Sequence, residues 1–169
     1  VVGPVLDGIH THSGTLAYPH PVFFKMAWWV PPLFGSAALS LVSFVMFADR
    51  WLKRPVRRLS MFDVVLGFLV FVLVYFASGF WQAESIVKTI LFTGVGVLFW
   101  WILDRTWQGA FEIVLIVFTG CVVESVLTQL GLFYYLAPDV FGIPYWLAPL
   151  YIVAAIAVSG LARARVQNI

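Results

Sequence analysis

The chain has 169 residues, of which 62% are hydrophobic and only 11% charged, with a formal net charge of +2. Soluble domains carry about 45–50% apolar and about 25% charged residues, so this chain has too little polar surface to cover itself in water, and its small charge gives no footing for nucleic acid. A single cysteine, Cys121, excludes an intrachain disulfide and a cysteine-built zinc cluster; in its hydrophobic run it reads as a small apolar residue.

The composition predicts an all-α polytopic membrane bundle, a single domain over residues 1–169. Residues 1–9 are apolar but too short to span a bilayer, and read as the stub of a first, truncated transmembrane helix. Five runs reach the roughly 20 apolar residues that a spanning helix needs: residues 22–48, 61–81, 86–103, 110–135 and 141–162. With the stub they make six spans. The runs are too long and too uniformly apolar for barrel strands, which alternate over about ten residues. Connections are short, and no internal repeat stands out.

Asp7, His10 and His12, with His20 beyond, are the only cluster of metal-ligand residue types. Their spacing fits no metal motif, so they read as a polar loop leaving the first span, and neither metal nor cofactor is expected. Within residues 22–48, Pro31-Pro32 predicts a kink, and Trp28-Trp29 just before it an interface anchor. Ser36 and Ser40, Gly94 and Gly96, and Ala155 and Ser159 are small residues spaced for close helix approach.

Basic residues fix the expected orientation, since cytoplasmic loops are rich in Lys and Arg. Arg50, Lys53, Arg54, Arg57 and Arg58 share one loop, Arg105 lies on the next connection of that side, and Arg163 and Arg165 lie in the tail. Eight of the ten basic residues thus fall on one face, which is assigned to the cytoplasm. Glu112, near the start of its span, can reach an interface. Glu124 cannot, because about ten residues separate it from either end; burying it in hydrocarbon would cost about 2.5–3.5 kcal/mol or more. It is therefore expected to face protein or a wet cavity, with Ser125, Thr128 and Gln129 nearby. Asp104 ends its span at the unfavourable end of the helix dipole, which marks it for another task.

Three stretches resemble the Insig family of sterol-regulatory membrane proteins. Ala27-Trp28-Trp29-Val30-Pro31-Pro32, with small residues from Gly35, is similar to the family's AWWVPP segment. Trp100-Trp101-Ile102-Leu103-Asp104-Arg105 is similar to its WWTFDR. Gly131 to Leu147, with Tyr135, Pro138-Asp139 and Tyr145-Trp146-Leu147, resembles GVYQYTSPDF followed by SWLP. The resemblance implies a non-enzymatic six-span bundle with cytoplasmic termini. Animal members bind oxysterols and retain sterol-sensing-domain membrane proteins in the endoplasmic reticulum. Asp104 corresponds to an aspartate needed for partner binding, and Trp100 to a tryptophan beside the lipid pocket.

Two positions depart from the animal pattern: Val87 and Glu124 stand where animal members carry Gln. With the compact, Ala/Val/Arg-rich chain, this leans toward a bacterial relative in the inner membrane. The ligand is then expected to be a sterol or a diacylglycerol-like lipid, held by Trp28, Trp29, Val87, Trp100, Glu124 and Gln129. Asp104 is the expected partner-binding residue, and a homo-oligomer, trimer or dimer, the expected assembly. Two rivals remain: a small transporter or channel subunit using Glu124, and an intramembrane enzyme using Asp7, His10 and His12.

Overall fold

The computed structural model describes residues 2–54 and 59–167; Val1, Arg57 and Arg58, counted above, lie outside the described residues. The described chain is a bundle of six α-helices. They are α1 (Val2–Ser13), α2 (Val30–Trp51), α3 (Met61–Phe80), α4 (Ser85–Leu103), α5 (Trp107–Gln129) and α6 (Leu147–Gln167). α2 to α6 are each long and apolar enough to cross a membrane. Two short strands, β1 (Leu16–Ala17) and β2 (Tyr134–Tyr135), pair antiparallel between the helices.

Local chemistry sets the helix ends. Ser60 caps α3 through the backbone N–H of Asp63, whose carboxylate accepts from the Ser60 N–H in return. Thr106 caps α5 through the Gly109 N–H at 3.1 Å. Pro31 and Pro32 lie in the first turn of α2, where the N–H groups they lack have no helical acceptor. The expected kink is therefore a helix start. Three other sequence expectations change with it. Residues 22–29 form an irregular turn, closed by a Phe23–Met26 bridge. Residues 130–146, divided above between two spans, form a second loop with its own Val140–Ile143 bridge. Asp7, His10 and His12 are helical residues of α1, not part of a polar loop.

α6 is the central helix. α3, α4 and α5 all pack on it, and Val153, Ala155, Ile156 and Ala157 are buried along it. Glycines permit the close approaches: a Cβ on Gly96 would lie 2.7 Å from Ile152, and one on Gly67 would press on Leu103. Gly94, paired with Gly96 in the sequence reading, faces open space.

The two irregular loops are copies of one another, so the chain does hold an internal repeat. Shifting residues 18–38 by 117 positions superposes them on 135–155, with eight identities in 21 pairs. Tyr18/Tyr135, Trp29/Trp146, Pro32/Pro149 and Leu33/Leu150 are among them. Backbone geometry repeats at the same spacing: φ is +74° at Gly14 and +70° at Gly131, +47° at Phe24 and +48° at Phe141. Packing repeats too. A Cβ on Gly3 would strike Phe34 and one on Gly120 would strike Tyr151, again 117 residues apart in both members. The antiparallel register sets Ala17 opposite Tyr134, its own counterpart. A local two-fold axis therefore passes through that pair and relates α1–α2 to α5–α6 as parallel repeats, with α3–α4 inserted between them. The identities cluster in 21 residues and are sparse in the apolar helices on either side, which is why the repeat is faint to the eye.

Because added volume at a packed glycine forces backbone shifts, Gly120→Ala should lower stability by about 1–3 kcal/mol. Gly94→Ala should be near neutral. Thermal unfolding in detergent, followed by tryptophan fluorescence, measures both.

Candidate functional site

Each repeat places a carboxylate on its first helix and a tyrosine in the following loop. The Tyr18 hydroxyl donates to Asp7 Oδ2 at 2.8 Å. At the equivalent positions the Tyr135 hydroxyl donates to Glu124 Oε2 at 2.5 Å. Glu124 gains a second donor, Tyr151, at 2.6 Å to Oε1. Tyr151 is the counterpart of Phe34, so one added hydroxyl distinguishes the two sites. Burial and the neighbouring Asp7 hold the Tyr18 phenol well above its usual range. Burial and Glu124 do the same for Tyr135. Both tyrosines therefore remain proton donors.

The two pairs flank one interior region. Asp7 lies within electrostatic range of Glu124, and Tyr75 of α3 lies within range of both. The Tyr75 ring stacks on His10 at 4.2 Å, and Trp146 meets His10 edge-on at 5.6 Å. Ser78 donates its single proton to the Tyr75 carbonyl, so His10 Nε2, 2.8 Å from Ser78 Oγ, is the donor of that pair. Lys88 Nζ reaches the Ser78 carbonyl at 2.9 Å. The Tyr75 hydroxyl has no hydrogen-bond partner among the described residues. Asp7 and Glu124 lie six and five residues before their helix ends, roughly 8–9 Å below them at 1.5 Å per residue. The polar region thus sits just inside the bundle, beneath the β1–β2 pair.

The opposite end of the bundle is held by ions. Arg163 of α6 clasps Asp49 of α2 with two bonds of 2.8 and 2.9 Å and reaches Glu112 of α5. Arg54 lies 2.5 Å from Asp104 and 3.4 Å from Glu112. Glu112 is 1% exposed, so it enters the protein and does not reach for an interface as the sequence suggested. Its Oε1 is unpartnered among the described residues. Asp104 accepts from the Thr106 N–H and hydroxyl, and a Cβ on Gly109 would collide with its carboxylate. Asp104 thus leaves the negative end of α4 for the positive first turn of α5, which resolves the misfit seen in the sequence.

The predicted site residues do not converge. Glu124 faces protein as expected. Trp29 packs edge-on against Tyr18 at 5.6 Å, whereas Trp28 is 69% exposed. Val87 lies on the outer side of α4, 38% exposed. Trp100 is 13 residues further along the same helix, about 20 Å away, where its indole N–H donates to the Thr106 carbonyl. Gln129 is exposed, and among the described residues its side chain bonds only to Ser125. Asp104 is engaged within the chain. Asp7, His10 and His12 have separate partners, with His12 turned back to the Gly8 carbonyl, and no group of three or more ligands able to hold a metal occurs among the described residues. The contacts of Asp7 with Tyr18 and of Glu124 with Tyr135 and Tyr151 were not anticipated, although Asp7 stood in the metal-ligand cluster and Tyr135 in the Insig-like stretch; the 117-residue spacing of Asp7/Glu124 and Tyr18/Tyr135 was the available signal.

No protein-family model matches the chain. Among curated proteins it is 25% identical to insulin-induced gene 1 protein of Gallus gallus, over 94% of this chain and 65% of that protein. It is 28% identical to insulin-induced gene 2 protein of the same organism, over 94% and 73%. For the human insulin-induced gene 1 protein the values are 25%, 96% and 61%. The chain thus spans a little under two thirds of the gene 1 relatives. The crystal structure of a mycobacterial Insig homologue from Mycobacterium vanbaalenii aligns with a TM-score of 0.82 at 26% identity, covering 97% of this chain and 87% of that one. A cross-linked trimer of that protein gives the same values.

Removing one partner from a buried ion pair typically costs about 3–5 kcal/mol. Arg163→Leu should therefore destabilise strongly, and adding Glu112→Leu should recover part of the loss. Denaturation of the single and double variants in detergent checks this.

Proposed function

The chain belongs to the Insig family, and on that premise we propose that it is a non-enzymatic, lipid-binding membrane protein whose ligand is a diacylglycerol-like lipid or a sterol. The observation that carries this reading is the polar region beneath the β1–β2 pair. Two carboxylate–tyrosine pairs border it from equivalent positions of the two repeats, and Tyr75 of α3 lies near enough to both carboxylates to feel their charge. Glu124, Tyr75 and Tyr151 keep partial exposure, which leaves them open to a ligand. Carboxylates and hydroxyls at this depth suit a lipid headgroup or hydroxyl, while the apolar walls suit its tails. A two-fold site favours a ligand with two similar arms, hence a two-tailed glycerolipid over a sterol.

Trp29 lies beside this site. Val87 and Trp100 are too far apart to hold one headgroup, so they would touch only an extended tail. Asp104 would serve a partner indirectly, by holding the ion-paired corner of α2, α4, α5 and α6 in shape. The basic loops are assigned to the cytoplasm, and the polar region then opens toward the outer leaflet. Trimeric crystals of the mycobacterial relative support self-association, and helix contacts with other membrane proteins remain part of the reading.

A second reading, a transporter or channel subunit, gains from the parallel duplication, because repeats related by an axis along the membrane normal occur among transporters. Liposome flux that collapses in Glu124→Ala would favour it.

Mass spectrometry of lipid extracted from purified protein tests the leading reading. Wild type should carry about one neutral lipid per chain. Asp7→Asn and Glu124→Gln should each lower occupancy several-fold. Lipid-free protein from several mild detergents would overturn the reading.

A further inference from the structure

The two carboxylate sites are copies, and the second shows what the first lacks. Both oxygens of Glu124 are engaged: Oε2 accepts from Tyr135 and Oε1 from Tyr151. In the first repeat Asp7 Oδ2 accepts from Tyr18, the counterpart of Tyr135. The second donor is missing, because Phe34 stands where the other repeat has Tyr151. Asp7 Oδ1 therefore has no hydrogen-bond partner among the described residues.

Asp7 is only 5% exposed, and an acceptor placed this deep is costly to leave unmet. The oxygen is not sealed in, however. Among the described residues the fully enclosed side-chain atom without a partner is Glu112 Oε1, at the other end of the bundle. Polar neighbours one turn along α1 do not fill the gap. His10 turns to Ser78, and Thr11 gives its hydroxyl to the carbonyls of Gly8 and Phe24.

Tyr75 sets a second condition. Its hydroxyl also has no partner among the described residues, and it lies near enough to Asp7 to feel its charge. A group that meets both must donate to the carboxylate and accept from the phenol. An alcohol does both, whereas an ester oxygen cannot donate and an ammonium cannot accept. The surroundings are aromatic: Tyr18 packs against Trp29 and Phe133, and Phe34 packs on the same cluster. Such walls suit a single hydroxyl on an apolar molecule better than a sugar or polyol.

We propose that Asp7 Oδ1 and the Tyr75 hydroxyl form a subsite for one free lipid hydroxyl, which supplies to the first repeat the bond that Tyr151 supplies to the second. The ligand is then a neutral lipid alcohol, and its fully esterified form is rejected. The inference rests on the lipid-binding reading and narrows it to a recognised group and to one of the two repeats.

Three probes test it on the wild-type chain: dioctanoylglycerol, its acetate at the free hydroxyl, and the analogue with an amine in place of that hydroxyl. Native mass spectrometry of the delipidated full chain in mild detergent measures their binding. Wild type should favour the alcohol over each of the others by about tenfold or more, as sites built around a hydroxyl do. Asp7→Asn can place an N–H where the free oxygen stood, so it should abolish or reverse the preference over the acetate. Glu124→Gln should keep that preference even as total binding falls. Tyr75→Phe, a second route to the same subsite, should shrink the preference over the amine. Equal binding of alcohol and acetate by wild type overturns the subsite and leaves lipid binding standing, as does an unchanged preference in folded Asp7→Asn. Stronger binding of the amine overturns it in favour of a cationic ligand. Binding of none of the three overturns the lipid-binding reading and the subsite with it.

Discussion

A carboxylate inside a hydrocarbon layer must meet a hydrogen-bond donor or leave the layer, and this bundle meets that constraint the same way twice. Asp7 and Glu124 each take a tyrosine hydroxyl from a loop that folds back under the membrane surface. Those hydrogen bonds tie each loop to the helix before it. The loops in turn carry β1 and β2, whose pairing joins the two halves. Nearly every feature of that end follows: the left-handed glycines that turn the chain, the prolines that restart α2 and α6, and the tryptophans that follow the turns. The pairs lie on either side of a two-fold axis, and Asp7 and Glu124 are near enough to act on each other electrostatically.

The other end obeys the same constraint with full charges. Three carboxylates and two guanidinium groups from α2, α4, α5, α6 and Arg54 interlock where the helices leave the apolar layer. Breaking such a network by one member leaves a buried charge behind, so its members depend on one another. Asp104 illustrates this. It accepts from Thr106 and from Arg54, so a change there alters the ends of α4 and α5 together. Among the described residues this network has no second copy: the counterpart of Arg163 is Met46 and that of Asp49 is Val166.

The spans were legible in the sequence because length and apolarity alone decide them; α3 and α4 match the predicted runs to within about one residue. The ends near residues 22–29 and 130–146 were not legible. Phe23, Phe24, Trp28, Phe141 and Tyr145 are as apolar or aromatic as span residues, and what makes those segments irregular is positive backbone φ and a three-dimensional bridge. Burial cost alone required Glu124 to face protein or a wet cavity, and its carboxylate meets the hydroxyls of Tyr135 and Tyr151. Asp7, its counterpart, was hidden because it sat beside His10 and His12 and suggested a loop. The tyrosines carried no signal of their own until the 117-residue spacing joined them to the carboxylates. Val87 and Trp100 came from family resemblance, and geometry sets them on different stretches of α4.

The central claim is that the duplicated carboxylate–tyrosine region holds a lipid headgroup on the two-fold axis. A structure of the chain purified with its native lipid, at a resolution that separates headgroup from tails, tests it most directly. The account predicts headgroup density between Asp7 and Glu124, in contact with the Tyr75 hydroxyl. Density confined to the outer face of α4 near Val87 and Trp100, with the region beneath β1 and β2 filled only by water, would contradict it.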